Sequence, residues 1–314
     1  MLQRNISWSD FGLLVVNDGY DISLPDEFAG GWPWRIRQIW TEHGGISHAR
    51  NAGLDASDAD WIMFCDSDDA FWTTTSLQIF LEQCGRTDKM LVTGGFCEEV
   101  LRPDGTMRIL RHDGKDYIFV HAKMFRRKWL TDNRVRFCDR ILLHEDVYFI
   151  SLASFLLRDE EILHLPDYLY LWQWNRKSVT RADGVDFTLK TYNHLCIKNA
   201  ALVDELLRRG MYMEAKGVVL YAVTDAYNHL QRKTWNLPEN REKAQRAERD
   251  IASFLRRYDY IFKTMLPCQT EQSVEKTRKM LIRCGEIDAD AGYQPFDEWL
   301  RHVREDVEPS LIVY

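Results

Sequence analysis

The chain has 314 residues, of which 45% are hydrophobic and 28% charged, with 11 Trp, 13 Tyr and 15 Phe and a net charge of −7. This composition excludes intrinsic disorder and supplies core for one large domain or two modest ones. The negative balance removes any general attraction to nucleic acid or anionic membrane, so a polyanionic partner has to be gripped locally. In chain order, the apolar, β-branched run 11–16 followed by Asn17-Asp18-Gly19 predicts a buried strand that delivers a polar turn. Gly44-Gly45 break the chain, and Ser47 is placed to cap a helix running through Asp55. Residues 60–65 predict a second buried strand, ending in Asp66-Ser67-Asp68-Asp69. Two strands thus present acidic tips to one crevice, where open α/β sheets collect their ligands.

A helix over 76–84 closed by Gly85, a strand over 90–96 and a hairpin turning at Pro103-Asp104-Gly105 follow. Helical spacing then covers 120–130 and 144–157, and a strand covers 168–174 after Pro166. From Phe187 onward apolar residues recur at three-to-four spacing, which predicts an all-helical region to the end of the chain. Periodicity divides the chain into an α/β domain, 1–184, and a helical domain, 185–314. The seven cysteines form no CxxC pair, which argues against a zinc site or a disulfide framework and fits a reducing, cytoplasmic setting. The apolar run 147–157 falls well short of the roughly 20 residues that span a bilayer, so no transmembrane segment is expected.

Closely spaced carboxylates on a tight turn can hold a hard cation while leaving room for diphosphate oxygens, and such a cation offsets charge on a leaving nucleotide. The same acidic triplet also occurs as a solvated turn, so the surrounding pattern decides. Gly45-Ile-Ser47-x-Ala49-Arg50-Asn51-Ala52-Gly53, then Asp60-Trp-Ile-Met-Phe-x-Asp66-Ser67-Asp68-Asp69, resembles the family 2 glycosyltransferases. Val16-Asn17-Asp18-Gly19, Ala122-Lys123-Met124-Phe125-Arg126-Arg127-x-Trp129-Leu130 and His144-Glu145-Asp146-Val147-x-Phe149 are similar to further motifs of that family, in the same order.

The resemblance implies a GT-A fold: a mixed sheet with flanking helices that binds a nucleotide-diphosphate sugar, most commonly a UDP-sugar, with Mn2+ or Mg2+. Carried over by position, Asn17 or Asp18 contacts the base, Arg50 and Asn51 border the nucleotide, and Asp66 faces ribose or metal. Asp68 becomes the principal metal ligand. Asp146 becomes the base of an inverting displacement, with Glu145 orienting acceptor or base. Both acids at a helix start also suit the helix dipole without any catalysis. His112 and His144 are candidate extra contacts, although a lone His is more often an ordinary polar residue. Lys123, Arg126 and Arg127 read first as a solvated helix face and second as phosphate contacts. Trp172 and Trp174 offer a stacking surface for an acceptor sugar, or core, and Ser178 and Arg181 lie in a segment similar to one near the donor.

The family opens with a strand and helix ahead of the Val16-Asn17-Asp18-Gly19 turn that this sequence lacks, which predicts an unpaired sheet edge beside 11–16. Tyr20 stands where the family has Ser. The acceptor is a glycan, a lipid-linked sugar, a protein or modified DNA, and homo-oligomerisation is left open. The alternative reading is a non-catalytic nucleotide-sugar-binding or interaction module on the same fold.

Overall fold

The computed structural model describes residues 3–4, 8–21, 23–24, 35–102, 104–178, 187–289 and 292–312. The chain forms two compact units, residues 1–178 and 179–314.

In the first unit, β1 (Gly12–Asp18) and β2 (Arg35–Thr41) make a parallel two-stranded sheet in register from Gly12 opposite Arg35 to Asp18 opposite Thr41. β1 was expected to be buried, but its residues are half-buried, and β2 was not foreseen. Six further strands build a second sheet: β3 (Trp61–Met63), β4 (Ala70–Phe71), β5 (Leu91–Leu101), β6 (Met107–His112), β7 (Lys123–Arg126) and β8 (Ile162–Trp172). Their order is β3-β7-β5-β8-β4, with β6 paired to β5. The sheet is mixed, since β5 and β8 run parallel while the other pairs are antiparallel.

Residues 120–130 do not form the expected helix. Ala122 takes φ +54°, and Lys123–Arg126 then run as a strand between β3 and β5, followed by the short helix α3 (Arg127–Asp132). Tertiary pairing overrides a helical pattern because the alternation suits a strand inside a sandwich. Met124 points to one helix layer, its sulfur 3.8 Å from Cys84 of α2 (Ser76–Arg86). Phe125 points the other way and meets Phe149 of α4 (Glu145–Leu156) edge-on at 5.5 Å. β8 is longer than expected and runs through Pro166. The register jumps from Thr93 opposite His164 to Gly95 opposite Tyr168, so Pro166 lies in an irregularity where its missing N–H breaks no ladder bond. The hairpin forms as read: Leu101 pairs with Met107, Gly105 takes φ +83°, and Asp104 accepts from the Thr106 amide at 2.9 Å.

α1 (Ile46–Ala56) begins after Gly45, whose φ of +84° suits glycine alone. Ser47 does not cap it; the hydroxyl donates instead to the Ile141 carbonyl at 3.3 Å. α1 packs on β1, where a methyl group on Gly53 would stand 3.3 Å from Val16.

The second unit is helical: α5 (Phe187–Lys190), α6 (Tyr192–Arg208), α7 (Tyr212–Leu230), α8 (Arg241–Phe262), α9 (Pro267–Arg283) and α10 (Phe296–Glu305). Val203, Leu206, Val219, Val223, Phe254 and Leu255 are buried between helices. Polar ties fix their registers. The Tyr258 hydroxyl donates to Asp204 on α6, the Asn228 amide donates to the Val274 carbonyl on α9, and Arg304 pairs with Asp259 across α10 and α8. Among the described residues, no helix is long and apolar enough to cross a membrane.

Candidate active site

β3 ends at Met63 and hands the chain to the turn 66–69, closed by the Asp69 amide donating to the Asp66 carbonyl at 3.1 Å. The Asp66 carboxylate accepts from Arg50 at 2.6 Å, and the same guanidinium donates to Glu145 at 2.7 Å. One buried cation on α1 therefore spans the tip of β3 and the start of α4, and it also lies 5.2 Å from the Phe137 ring centre. Burial opposes the Arg50 charge, but Asp66, Glu145 and Asp146 outweigh it and raise its pKa. Asp146 follows Glu145 in the first turn of α4, and its Oδ1 accepts from the Val147 amide at 2.7 Å. Burial and the adjacent Glu145 charge lift its pKa well above the carboxylate range, and Arg50 lowers it in part.

Asp66 shares a metal-capable group with Asp69 and His121, which does not include Asp68. Asp68 is exposed and accepts from the Asn175 side chain at 2.8 Å. Asp69 turns inward instead, its side chain 1% accessible, accepting from the Tyr170 hydroxyl at 2.6 Å and the Gln173 amide at 3.0 Å. His121, buried just before β7, completes the group: Asp66, Asp69 and His121 each offer a ligand atom within 4.8 Å of the others. Burial pushes the Asp69 carboxyl up to about 7, and burial pulls the His121 imidazole down to about 4. The imidazole is thus neutral near pH 7 and its nitrogen is available as a ligand. Two carboxylates and one imidazole suit a hard or borderline divalent cation, and the nitrogen favours Mn2+ over Mg2+.

The expected nucleotide contacts divide. Arg50 lies in the site. Asn51 is buried beside it, its amide donating to the Phe137 carbonyl and to Asp139 and its oxygen accepting from the Phe137 amide. Asp18 is engaged at the entry to α1, accepting from the Gly44 and Gly45 amides at 2.8 and 2.9 Å. Burial raises its pKa, but those two amides and His43 prevail and lower it. Asn17 sits opposite Trp40, and its carbonyl accepts from Thr41.

The basic triad is not a solvated helix face. Lys123 is wholly buried and donates to the His121 carbonyl at 3.3 Å. Arg126 donates to the Lys89 and Thr87 carbonyls over the Trp61 ring, and Arg127 donates to the Ala59 carbonyl. His112 bridges Glu98 and Asp116, and His144 takes a left-handed φ of +69° before α4. The Trp172 ring lies 5.3 Å from His121, and the Trp174 amide donates to Glu99. The Ser178 amide donates to the Asn175 carbonyl, and Arg181 lies outside the described residues. Sequence reasoning missed His121 and Tyr170. The available signal was the alternation of Val120, Ala122 and Met124 with His121, Lys123 and Phe125, which has strand rather than helix period.

Residues 2–141 match the family model described as glycosyl transferase family 2. The match lies within the first unit. Among curated proteins, this chain is 26% identical over 196 residues to the uncharacterized glycosyltransferase EpsJ and 26% identical over 185 residues to the putative glycosyltransferase EpsH, both of Bacillus subtilis. These alignments cover 55% and 53% of this chain, which spans only 55% and 54% of those relatives. Among solved structures, S. aureus TarS 1–349 in complex with UDP superposes with a TM-score of 0.53 at 13% identity, covering 93% of this chain and 89% of that one. Its complex with UDP-GlcNAc gives 0.56 at 14%, with the same coverage. At such identity the likeness speaks for the fold: a GT-A-like α/β unit with a helical C-terminal region.

Proposed function

We propose that the first unit moves a glycosyl group from a nucleoside-diphosphate sugar, with UDP-sugars first among candidates, to an acceptor hydroxyl with inversion at the anomeric carbon. The observation that carries this reading is the Arg50 guanidinium, which joins Asp66 of the metal-capable group to Glu145 beside Asp146. Two functions needed at opposite ends of a sugar, leaving-group stabilisation and proton removal, are thereby held to one rigid centre.

Asp66, Asp69 and His121 would hold Mn2+ or Mg2+, and Asp68, exposed on the same turn, would be a further oxygen ligand. Such a cation supplies neutralisation of charge developing on the departing diphosphate. Asp146 accepts the proton of the acceptor hydroxyl as its oxygen bonds to the anomeric carbon and the sugar–phosphate bond breaks. The nucleoside diphosphate leaves with that electron pair. The raised pKa of Asp146 fits a base working near neutrality, and Glu145, held by Arg50, positions rather than accepts.

The test is incubation with a panel of nucleotide sugars and Mn2+, following free nucleoside diphosphate. Wild-type protein is expected to release it slowly to water, and Asp146→Asn to cut turnover by about 10²–10⁴-fold with little change in donor affinity. Donor binding with no release from any sugar nucleotide would leave a binding module instead.

A further inference from the structure

Tyr170 stands in the middle of the large sheet, on β8 between Phe96 of β5 and Phe71 of β4. Its side chain is fully buried, and the Phe71 ring meets it edge-on at 6.3 Å, so the ring is packed in place. A phenol in that position needs partners for its hydroxyl, which carries one donor and two acceptor positions. The partners lie on the acidic turn, 101 and 104 residues earlier in sequence. The hydroxyl donates to Asp69 Oδ2 at 2.6 Å and accepts from the Asp66 amide at 3.2 Å. The ring face meanwhile lies on the His121 imidazole, with centroids 4.9 Å apart and planes 16° from parallel. One rigid side chain thus touches every member of the metal-capable group.

We propose that Tyr170 is a positioning residue for the cation site, fixing Asp66, Asp69 and His121 in the arrangement that a divalent ion requires. This rests on the ligand set of the transferase reading above. Asp66 and Asp69 share one short turn, whereas His121 comes from the segment before β7, so their mutual aim depends on what joins turn to strand. Tyr170 makes that join. Hydrogen bonds to a ligating carboxylate fix its orientation, and losing one costs about 10–100-fold in metal affinity. Hydroxyl-to-carboxylate bonds are short and strong. The Gln173 amide fixes the other Asp69 oxygen at 3.0 Å, and each oxygen keeps a lone pair for a cation. The exit from the turn is bound to the same strand: Ala70 pairs with Leu171, and the Trp72 amide donates to the Leu169 carbonyl at 3.1 Å. β8, rather than the turn itself, therefore sets the geometry of the ligands.

The test is Mn2+ binding by the whole chain without donor, read as free Mn2+ by EPR, in wild-type protein, Tyr170→Phe and Tyr170→Leu. Tyr170→Phe keeps the ring and loses only the hydroxyl. Its affinity is expected to fall about 10–100-fold, while the nitrogen coupling of bound Mn2+ in pulsed EPR stays, because the stack on His121 is intact. Tyr170→Leu loses the stack as well, and should lower affinity further and alter that coupling. Excess Mn2+ should restore nucleotide release from UDP-GlcNAc in Tyr170→Phe, which a role in sheet packing alone does not predict. Wild-type Mn2+ affinity in folded Tyr170→Phe overturns the proposal and leaves the cation group standing. No nitrogen-coupled Mn2+ in wild-type protein sinks the ligand set, and the role of Tyr170 with it. Mn2+ binding in the expected order of the three proteins, without release from any donor, supports Tyr170 and sinks the transferase reading alone.

Discussion

Asp69 and His121 differ in what a cation must do to reach them. Asp69, near 7, has to lose its proton, whereas His121, near 4, is already neutral. Without a cation, a carboxyl whose folded pKa exceeds its unfolded value of about 3.9 makes its contribution to stability fall as pH rises from about 4 to about 7. Mn2+ is therefore expected to raise the melting temperature more at pH 8 than at pH 6, and to do so hardly at all in Asp69→Asn; an equal rise at both pH values would refute that ligand set. Arg50 lowers the proton affinity of Asp146. Replacing it with Gln should move the acid limb of the kcat/KM profile to higher pH, and a limb that stays in place would detach Asp146 from catalysis. Arg50, Asp66, Glu145 and Asp146 were legible in sequence because each sits in a short motif. His121 and Tyr170 were not, because they meet the acidic turn only after β7 and β8 have paired with distant strands.

Elements were legible where local pattern and tertiary packing agree. α4 was readable because residues 145–156 keep one apolar spacing and bury Phe149, Ile150 and Leu152. β2 was hidden because Arg35-Ile-Arg-Gln-Ile-Trp-Thr alternates poorly, and its pairing comes from β1. β5 depends on close backbone approach: a methyl group on Gly95 would stand 2.9 Å from the His112 carbonyl oxygen and 2.7 Å from the Tyr168 ring. Gly95→Ala should cost about 1–3 kcal/mol by overcrowding, read by urea unfolding, and would also spread β5 from β6. Unchanged stability would mean that the strands move apart freely.

At the scale of the molecule, the shift from mixed periodicity to helical periodicity near residue 185 was visible, while the helix contacts that order the second unit depend on pairs such as Tyr258 with Asp204. In that unit, burial opposes the His229 charge, but the Asp225 carboxylate 3.0 Å away prevails and raises its pKa. The pair's contribution is full below the unfolded value of about 6.5 and fades as pH climbs through the raised folded value. His229→Gln should accordingly destabilise the protein more at pH 6 than at pH 8.5 in denaturant titrations. The acidic turn has a reach beyond its contacts. Without a divalent cation, the acidic turn, only partly offset by Arg50 and set on a chain of net charge −7, makes a field that opposes an arriving pyrophosphate. Monovalent salt, which shortens that field to about 8–10 Å near physiological strength, should thus hasten donor capture, the reverse of what a lysine-lined cleft would show.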